Sequence, residues 1–369
     1  MRSIEEATLN GRTVLLRIDA DVPMKNGRVD DAFRLQAALP TISFLLNRYA
    51  KVILLAHLGR PGGKIDRTLT LRPVYNQLAM LLKKPIYFAP SVFSDSTKQA
   101  VGRLKEGEIL GLENLRFDRG EEANSRTFAR KLAAYGDIYV DDAFAVSHHA
   151  GASNSAIVEF LPSFAGLTFE REFHVLSTLL RHPARPFVAI IGGAKVADKL
   201  PAIRHLLAKA DRVLVGGGVA NTFLKASGVD VRQSLVDNAY LEQAKDILKR
   251  SHGRLVLPVD YRWHDDHILD IDDQTIKQFL TYIGQAQTIF WNGPVGKSEQ
   301  TPFNGGSKAI AQALAESRAT TIIGGGDTIE LIDQLNLVKK ISFISTGGGS
   351  TLALLSGQVL PAVKALAGR

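Results

Sequence analysis

Apolar runs rich in β-branched residues recur along the whole chain, each followed by a polar or glycine-rich turn and then a stretch with helical period. The runs cover residues 13–18, 52–56, 109–112 and 138–140 in the first half, and 187–191, 212–215, 254–257, 288–291, 320–323 and 341–345 in the second. Apolar residues fill successive positions instead of alternate ones, which predicts strands buried on both faces. The βα rhythm predicts parallel sheets. Between the two series lie Leu161-Pro162-Ser163, a helical stretch near 168–180, and the proline-interrupted Arg181-His182-Pro183-Ala184-Arg185-Pro186. The pattern therefore predicts an α/β protein with one domain over 1–165, a connecting helix over 166–182 and a second domain over 183–356. No repeat period is present, which excludes solenoids and propellers.

The length of 369 residues suits two domains of ordinary size, and 45% hydrophobic residues suffice for two cores. The absence of cysteine excludes disulfides, thiolate metal sites and cysteine nucleophiles, and it agrees with a reducing compartment. The start of the chain lacks the apolar segment of a signal peptide, and no apolar run is long enough to span a bilayer, so a cytoplasmic protein without membrane contact is expected. A net charge of +8 raises the question of nucleic acid. Lys and Arg never run longer than two in a row and no aromatic residues interleave with them, so the expectation is a small anionic ligand and no nucleic acid.

In open parallel sheets, ligands bind beyond the carboxyl ends of the strands. The strand ends of the first half run into Asp19-Ala20-Asp21, His57-Leu58-Gly59-Arg60 and Glu113-Asn114-Leu115-Arg116, and Arg17, Arg34, His148 and His149 add to this group. Arginine suits bidentate recognition of phosphate and carboxylate, so this half reads as an anionic substrate site. The strand ends of the second half run into Gly192-Gly193-Ala194-Lys195, Gly216-Gly217-Gly218, Asn292-Gly293-Pro294, Gly324-Gly325-Gly326-Asp327 and Gly347-Gly348-Gly349. One such loop is a tight turn; several in successive βα turns point to backbone amides meeting a multi-phosphate ligand. The usual fingerprints are missing. Gly296-Lys297-Ser298 lacks the glycine of a Walker A loop, which is Trp291, and the third position of a dinucleotide pattern is Asn221. Asp327 reads either as a helix N-cap or as a magnesium ligand beside phosphates. Lys195 and Lys199 share a helix face from which a cation reaches a transferring phosphoryl group. His264-Asp265-Asp266-His267 reads as a solvated loop, since no further ligand at metal spacing lies nearby.

Taken in order, these motifs resemble the phosphoglycerate kinase family over essentially the whole chain. They are Val14-Leu15-Leu16-Arg17-Ile18-Asp19, Arg34 before Ala37-Ala38-Leu39-Pro40-Thr41-Ile42, His57-Leu58-Gly59-Arg60-Pro61, Glu113-Asn114-Leu115-Arg116-Phe117, Gly192-Gly193-Ala194-Lys195-Val196-Ala197-Asp198-Lys199, Trp291-Asn292-Gly293-Pro294, Gly324-Gly325-Gly326-Asp327-Thr328 and Ser345-Thr346-Gly347-Gly348-Gly349. The resemblance implies two doubly wound, Rossmann-like domains joined by a hinge helix and facing across a cleft, with a tail from about 357 to 369 packing back on the first. It implies reversible phosphoryl transfer between 1,3-bisphosphoglycerate and MgADP, giving 3-phosphoglycerate and MgATP, by a monomer. On the resemblance, Asp19, Asp21, Arg34, His57, Arg60, Arg116 and His149 would face the glycerate substrate. Gly192, Ala194, Lys195, Lys199, Gly216, Gly217, Asn292, Pro294, Glu299, Gly326, Asp327 and Thr328 would line the site of ATP or ADP, with Asp327 on Mg2+. Arg34, Lys195 and the amides of Gly347 and Gly348 would surround the transferring group.

Several positions depart from the family pattern. Family members usually carry Asn at Asp21, and Arg and His at His149 and Gly151. The segment after Asp260 is short, with Asp272-Asp273 in place of Gly-Pro, and Lys297-Ser298 replaces two hydrophobic residues. The loss of positive charge leaves a second expectation open, a divergent relative that binds nucleotide with lost or altered turnover. It also predicts that Asp21 repels the substrate and that His149 supplies a cation whose charge varies near its ordinary pKa.

Overall fold

A computed structural model describes residues 1–368. The chain divides into two compact units, Met1–His174 with the C-terminal segment from Val359, and Val175–Gln358. The division falls inside a helix, α6 below.

The first unit runs β1 (Thr13–Arg17), β2 (Met24–Lys25), β3 (Arg28–Val29), α1 (Phe33–Leu46), β4 (Lys51–Leu55), α2 (Arg72–Leu82), β5 (Tyr87–Ala89), α3 (Asp95–Arg103), β6 (Ile109–Leu112), α4 (Arg119–Glu122), α5 (Arg126–Ala133), β7 (Ile138–Asp141), β8 (Ser163–Ala165) and α6 (Leu167–Arg181). Six strands form a sheet in the order β5-β6-β4-β1-β7-β8, with every pairing parallel. Val14, Leu15 and Leu16 of β1 are fully buried, on both faces, as the unbroken apolar run predicts. Burial of each such aliphatic side chain contributes roughly 1.5–3 kcal/mol. From β1 the chain builds β4 and β6 on one side, then crosses to β7 and β8 on the other. The connections part between β1 and β7, which opens a crevice at their carboxyl ends.

The second unit runs β9 (Phe187–Ile191), α7 (Val196–Leu207), β10 (Arg212–Val215), α8 (Gly217–Ala226), α9 (Leu241–Ser251), β11 (Leu255–Val256), β12 (Tyr261–His264), β13 (His267–Ile271), α10 (Asp273–Gln285), β14 (Thr288–Asn292), α11 (Gly305–Glu316), β15 (Thr320–Gly324), α12 (Gly326–Gln334), β16 (Phe343–Ser345) and α13 (Gly349–Leu355). Its sheet has the order β11-β10-β9-β14-β15-β16, again parallel throughout, and the connections part between β9 and β14. The last helix, α14 (Pro361–Ala367), belongs to the first unit, where the N–H of Ala362 donates to the Ser147 carbonyl at 3.2 Å.

The edge strands β5 and β8 and the hairpins β2–β3 and β12–β13 carry no periodic signal, because each strand is only two to five residues long. The His264-Asp265-Asp266-His267 segment is the turn of the β12–β13 hairpin. Asp265 and Asp266 adopt positive φ there, and Asp266 pairs with Arg232 at 2.7 Å.

Candidate active site

At the carboxyl ends of β1, β4, β6 and β7, Arg17, Arg60 and Arg116 line a cavity of about 360 Å³ together with Glu121, Glu122, His149 and Gly151. Arg17 is 2% exposed and makes three kinds of contact. Its Nη2 meets His57 Nδ1 at 2.9 Å, its Nε donates to Ser153 Oγ at 3.0 Å, and its Nη1 donates to the Ile18 carbonyl at 2.7 Å. A guanidinium has donors only, so Nδ1 of His57 accepts and the imidazole proton sits on Nε2. Burial, and then the repulsion of Arg17, Arg116 and Arg34, hold the His57 pKa well below its ordinary value, so the ring is neutral. Ser153 passes its proton hydrogen bond on to Glu121 Oε1 at 2.6 Å, while its N–H donates to Glu121 Oε2 at 3.0 Å. Neither Glu121 nor Ser153 is marked by any sequence pattern. Their partner Arg17 lies more than a hundred positions away, and only the pairing of β1 with β7 brings them together.

The loop after β4 is held by both of its neighbours. Oδ1 of Asp21 accepts the Gly59 N–H at 2.8 Å, and Nη1 of Arg116 donates to the Gly59 carbonyl at 2.9 Å. Gly59 has φ +65°, and a Cβ there would lie 2.9 Å from Leu69, so the position requires glycine. Arg34 donates to the Asp21 carbonyl at 3.0 Å and lies 3.2 Å from Asp19 Oδ2. Burial raises the Asp19 pKa despite the attraction of Arg34.

Two sequence expectations change here. The Asp21 carboxylate is engaged by a backbone amide and lies 3.8 Å from His57 Nε2, so its role includes holding the loop and is not repulsion alone. His149 is exposed at the cavity, where burial and then Arg116 and Arg60 push its pKa down. It is therefore not a cation titrating at the ordinary value, as the sequence predicts; neighbouring positive charge disfavours its protonation. The other departures are accommodated locally. A Cβ at Gly151 would press on Glu121 Oε1 at 3.2 Å. Near Asp272-Asp273, the Asp260 carboxylate accepts from Gln274 N–H and Thr275 N–H, both at 2.8 Å, and Arg262 pairs with Asp272 at 2.8 Å.

In the second unit the glycine loops gather at the carboxyl edge of the sheet, but many of their amides are already used. The N–H groups of Gly192, Gly193, Gly216 and Gly217 donate to the carbonyls of Asn292, Pro294, Ile191 and Val295, and that of Gly347 donates to Ser345 Oγ at 3.2 Å. The sequence reading, in which these loops offer their amides to a ligand, is corrected for those five groups. Several of the glycines serve close packing between loops. A Cβ at Gly192 would lie 2.1 Å from the Pro294 carbonyl oxygen, and one at Gly216 would lie 2.4 Å from Val295 Cβ. At Gly326 no atom lies within 4 Å of a built Cβ.

The first turns of α7, α8 and α12 carry no side-chain cap, although in α8 the N–H groups of Gly217 and Val219 donate to the carbonyls of Val295 and Gly193. Lys195 and Ala194 are exposed before α7. Lys199 is half-buried and bonds the side-chain oxygen of Asn292, and burial pushes its amine down to about 8. Asp327 is exposed in the first turn of α12, whose N-cap is Gly325, so the N-cap reading of Asp327 does not apply. Thr328 is buried, and its hydroxyl accepts the Gly293 N–H at 2.8 Å. Glu299 is exposed in the segment after β14, and Gly348 caps α13 at φ +48°.

The phosphoglycerate kinase family model matches residues 4–358. Phosphoglycerate kinases from Roseiflexus sp. strain RS-1 and Roseiflexus castenholzii are 43% and 44% identical to this chain, over 99% of its length and 98% of theirs. Among solved structures, the phosphoglycerate kinase of Coxiella burnetii is similar at 36% identity and a TM-score of 0.89, covering all of this chain and 99% of its own. That of Pyrococcus horikoshii OT3 is similar at 30% identity and a TM-score of 0.90, covering all of this chain and 98% of its own. Nothing in these likenesses favours the reading of a relative without turnover. With the motif arginines, glycines and lysines on the strand ends where the topology opens, and with full-length likeness in both sequence and fold, the chain belongs to the phosphoglycerate kinase family and catalyses reversible phosphoryl transfer between 1,3-bisphosphoglycerate and ADP.

Proposed function

We propose that the cavity at β1, β4, β6 and β7 holds the glycerate substrate, and that the carboxyl edge of the second sheet holds the nucleotide with Mg2+. The observation that carries this reading is the convergence of Arg17, Arg60 and Arg116 on one cavity at a topological switch point. Arg60 and Arg116 meet the anionic ends of 3-phosphoglycerate, with His149 beside them. His57 offers a neutral ring, and Asp19 and Asp21 set Arg34 and the Gly59 loop. In the second unit Gly192, Ala194, Gly216, Gly217 and Pro294 shape the nucleotide surface, with Asn292 and Thr328 supporting it from below and Glu299 on the ribose side.

Phosphoryl transfer needs placement and compensation of charge instead of a covalent nucleophile. Arg34 and Lys195 supply that positive charge, with Lys199 near the phosphates and the Gly347–Gly348 turn beside them. Asp327 suits Mg2+ because it is an exposed carboxylate and magnesium beside phosphates needs only one or two carboxylates, while the uncapped amides of its helix turn suit the phosphates themselves. When bound, Mg2+ neutralises charge on the phosphate oxygens. We also assign the substrate role to 1–165 and the nucleotide role to 183–356, and take the protein as a cytoplasmic monomer, to be checked by light scattering and fractionation.

A coupled assay of ADP formation from ATP and 3-phosphoglycerate tests the reading. Lys195→Ala is expected to lower kcat by about a hundredfold or more, the loss typical of a preorganised electrostatic partner. An unchanged kcat with weaker nucleotide binding would remove Lys195 from the transfer step.

A further inference from the structure

Beside Arg17 lies a buried pair, Glu121 and Ser153, to which no role has been assigned, although Glu121 also lines the cavity. Glu121 is 5% exposed and Ser153 is fully buried. Both Glu121 oxygens accept from Ser153, at 2.6 Å from the hydroxyl and 3.0 Å from the backbone amide. The hydroxyl has spent its proton on Glu121, so it faces Arg17 as an acceptor and receives Nε at 3.0 Å. With Nε held there and Nη1 held by the Ile18 carbonyl, the guanidinium plane is set, and Nη2 meets His57 Nδ1 at 2.9 Å. That last contact decides which ring nitrogen carries the proton.

We propose that Glu121 and Ser153 are positioning residues of the substrate site: through Arg17 they lock His57 as the neutral Nε2–H tautomer, with its N–H turned toward Asp21 and the Gly59–Arg60 loop. The lock reaches the cavity because Asp21 also accepts the Gly59 N–H, and Gly59 precedes Arg60, a cavity arginine. Without the hydroxyl bridge, Arg17 turns more freely, Nδ1 of His57 is no longer assured a donor, and the second tautomer becomes available. A purely anionic attraction between Glu121 and Arg17 would not depend on the Ser153 hydroxyl; the proposed lock does.

The inference rests on the reading of this cavity as the 3-phosphoglycerate site, and the test separates the two. Ser153→Ala removes one buried hydroxyl and keeps the backbone amide on Glu121. The tautomer of His57 is read from 15N shifts of labelled imidazoles, and the Michaelis constants for 3-phosphoglycerate and ATP are measured on the same samples. In the variant the His57 signals are expected to shift toward a tautomer mixture. The KM for 3-phosphoglycerate is expected to rise about fivefold to tenfold, the effect of losing one hydrogen bond, while that for ATP and kcat stay within about twofold. Glu121→Gln, which places an amide donor near the Ser153 amide or its hydroxyl, is expected to move the same readouts in the same direction. If Ser153→Ala folds with the His57 tautomer unchanged, the lock is overturned, whatever happens to KM. If the tautomer shifts and the KM for 3-phosphoglycerate does not, the lock exists but does not position the site, and the proposal fails in that form. If 3-phosphoglycerate leaves the wild-type His57 signals untouched, the placement of the substrate fails instead. Should Ser153→Ala fail to fold, Ser153→Cys, which keeps a weak acceptor, and the Glu121→Gln shifts decide the matter.

Discussion

The backbone N–H of Gly59 donates to Oδ1 of Asp21 at 2.8 Å, which ties the loop after β4 to the loop after β1. The carboxylate therefore acts both as an anchor and as a negative charge beside a site for anions. Asn offers the same acceptor without the charge. Asp21→Asn is expected to lower the KM for 3-phosphoglycerate by about twofold to fivefold, because one like charge is removed at partly screened distance. Asp21→Ala, which also loses the anchor, is expected to raise it. Steady-state kinetics on the two variants distinguish the roles, and equal effects of both would deny the anchor.

Lys199 predicts the pH response of the nucleotide side. Burial pushes its amine down to about 8, so it is a cation below that pH and neutral above it. ADP affinity is expected to fall as pH rises from about 7.5 to 9.5, with an inflection near the Lys199 value, since the last phosphate proton is lost mostly below this range. Lys199→Met is expected to bind ADP more weakly and to lose the inflection. Calorimetric titration of ADP at several pH values checks both statements.

Asp142 predicts the pH response of stability in the first unit. Its Oδ1 accepts the N–H groups of Thr168 at 2.9 Å and Phe169 at 3.1 Å at the start of α6, and burial pushes its carboxyl from 3.8 up to about 7. The fold binds this proton more tightly than the unfolded chain does, so the stabilisation is complete below the unfolded pKa and is lost as pH rises through the folded one. Asn keeps the acceptor and does not titrate. The Tm of Asp142→Asn relative to wild type is expected to climb by about 3 °C or more between pH 4.5 and 8. A difference that stays flat with pH would show that Asp142 is ionised throughout.

The glycines of the second unit separate into two kinds. Gly192→Ala drives a Cβ to 2.1 Å from the Pro294 carbonyl oxygen, whereas Gly326→Ala meets nothing within 4 Å. Gly192→Ala is expected to lower Tm by about 4 °C or more, as a backbone clash in a packed core requires. Gly326→Ala is expected to leave Tm within about 1 °C and to act only on the KM for ATP. Differential scanning calorimetry with kinetics tests the pair.

Much of this protein is legible without coordinates. The unbroken apolar runs at 13–18, 52–56, 187–191 and 288–291 become central strands, because a strand covered on both faces needs no alternation. Residues carried on strand ends, such as Arg17, His57 and Asn292, are placed at the carboxyl edge of their sheets by the same rule. The short edge strands Tyr87–Ala89 and Ser163–Ala165 escape it, since three residues hold no period.

What each polar group does was decided only by tertiary contact. The sequence determines that glycines follow β9, β10 and β14. Packing between those loops decides that Gly192 and Gly216 are glycine because their neighbours leave no room, and that their amides serve the protein first. The sequence likewise places Arg17, His57, Glu121 and Ser153 in four separate segments. Pairing of β1 with β4 and β7 brings them within hydrogen-bonding reach and makes a neutral histidine from a basic neighbourhood. Local patterns record which face of an element is buried, but a hydrogen bond or a desolvated charge depends on the partner across the sheet, and that partner is set by topology.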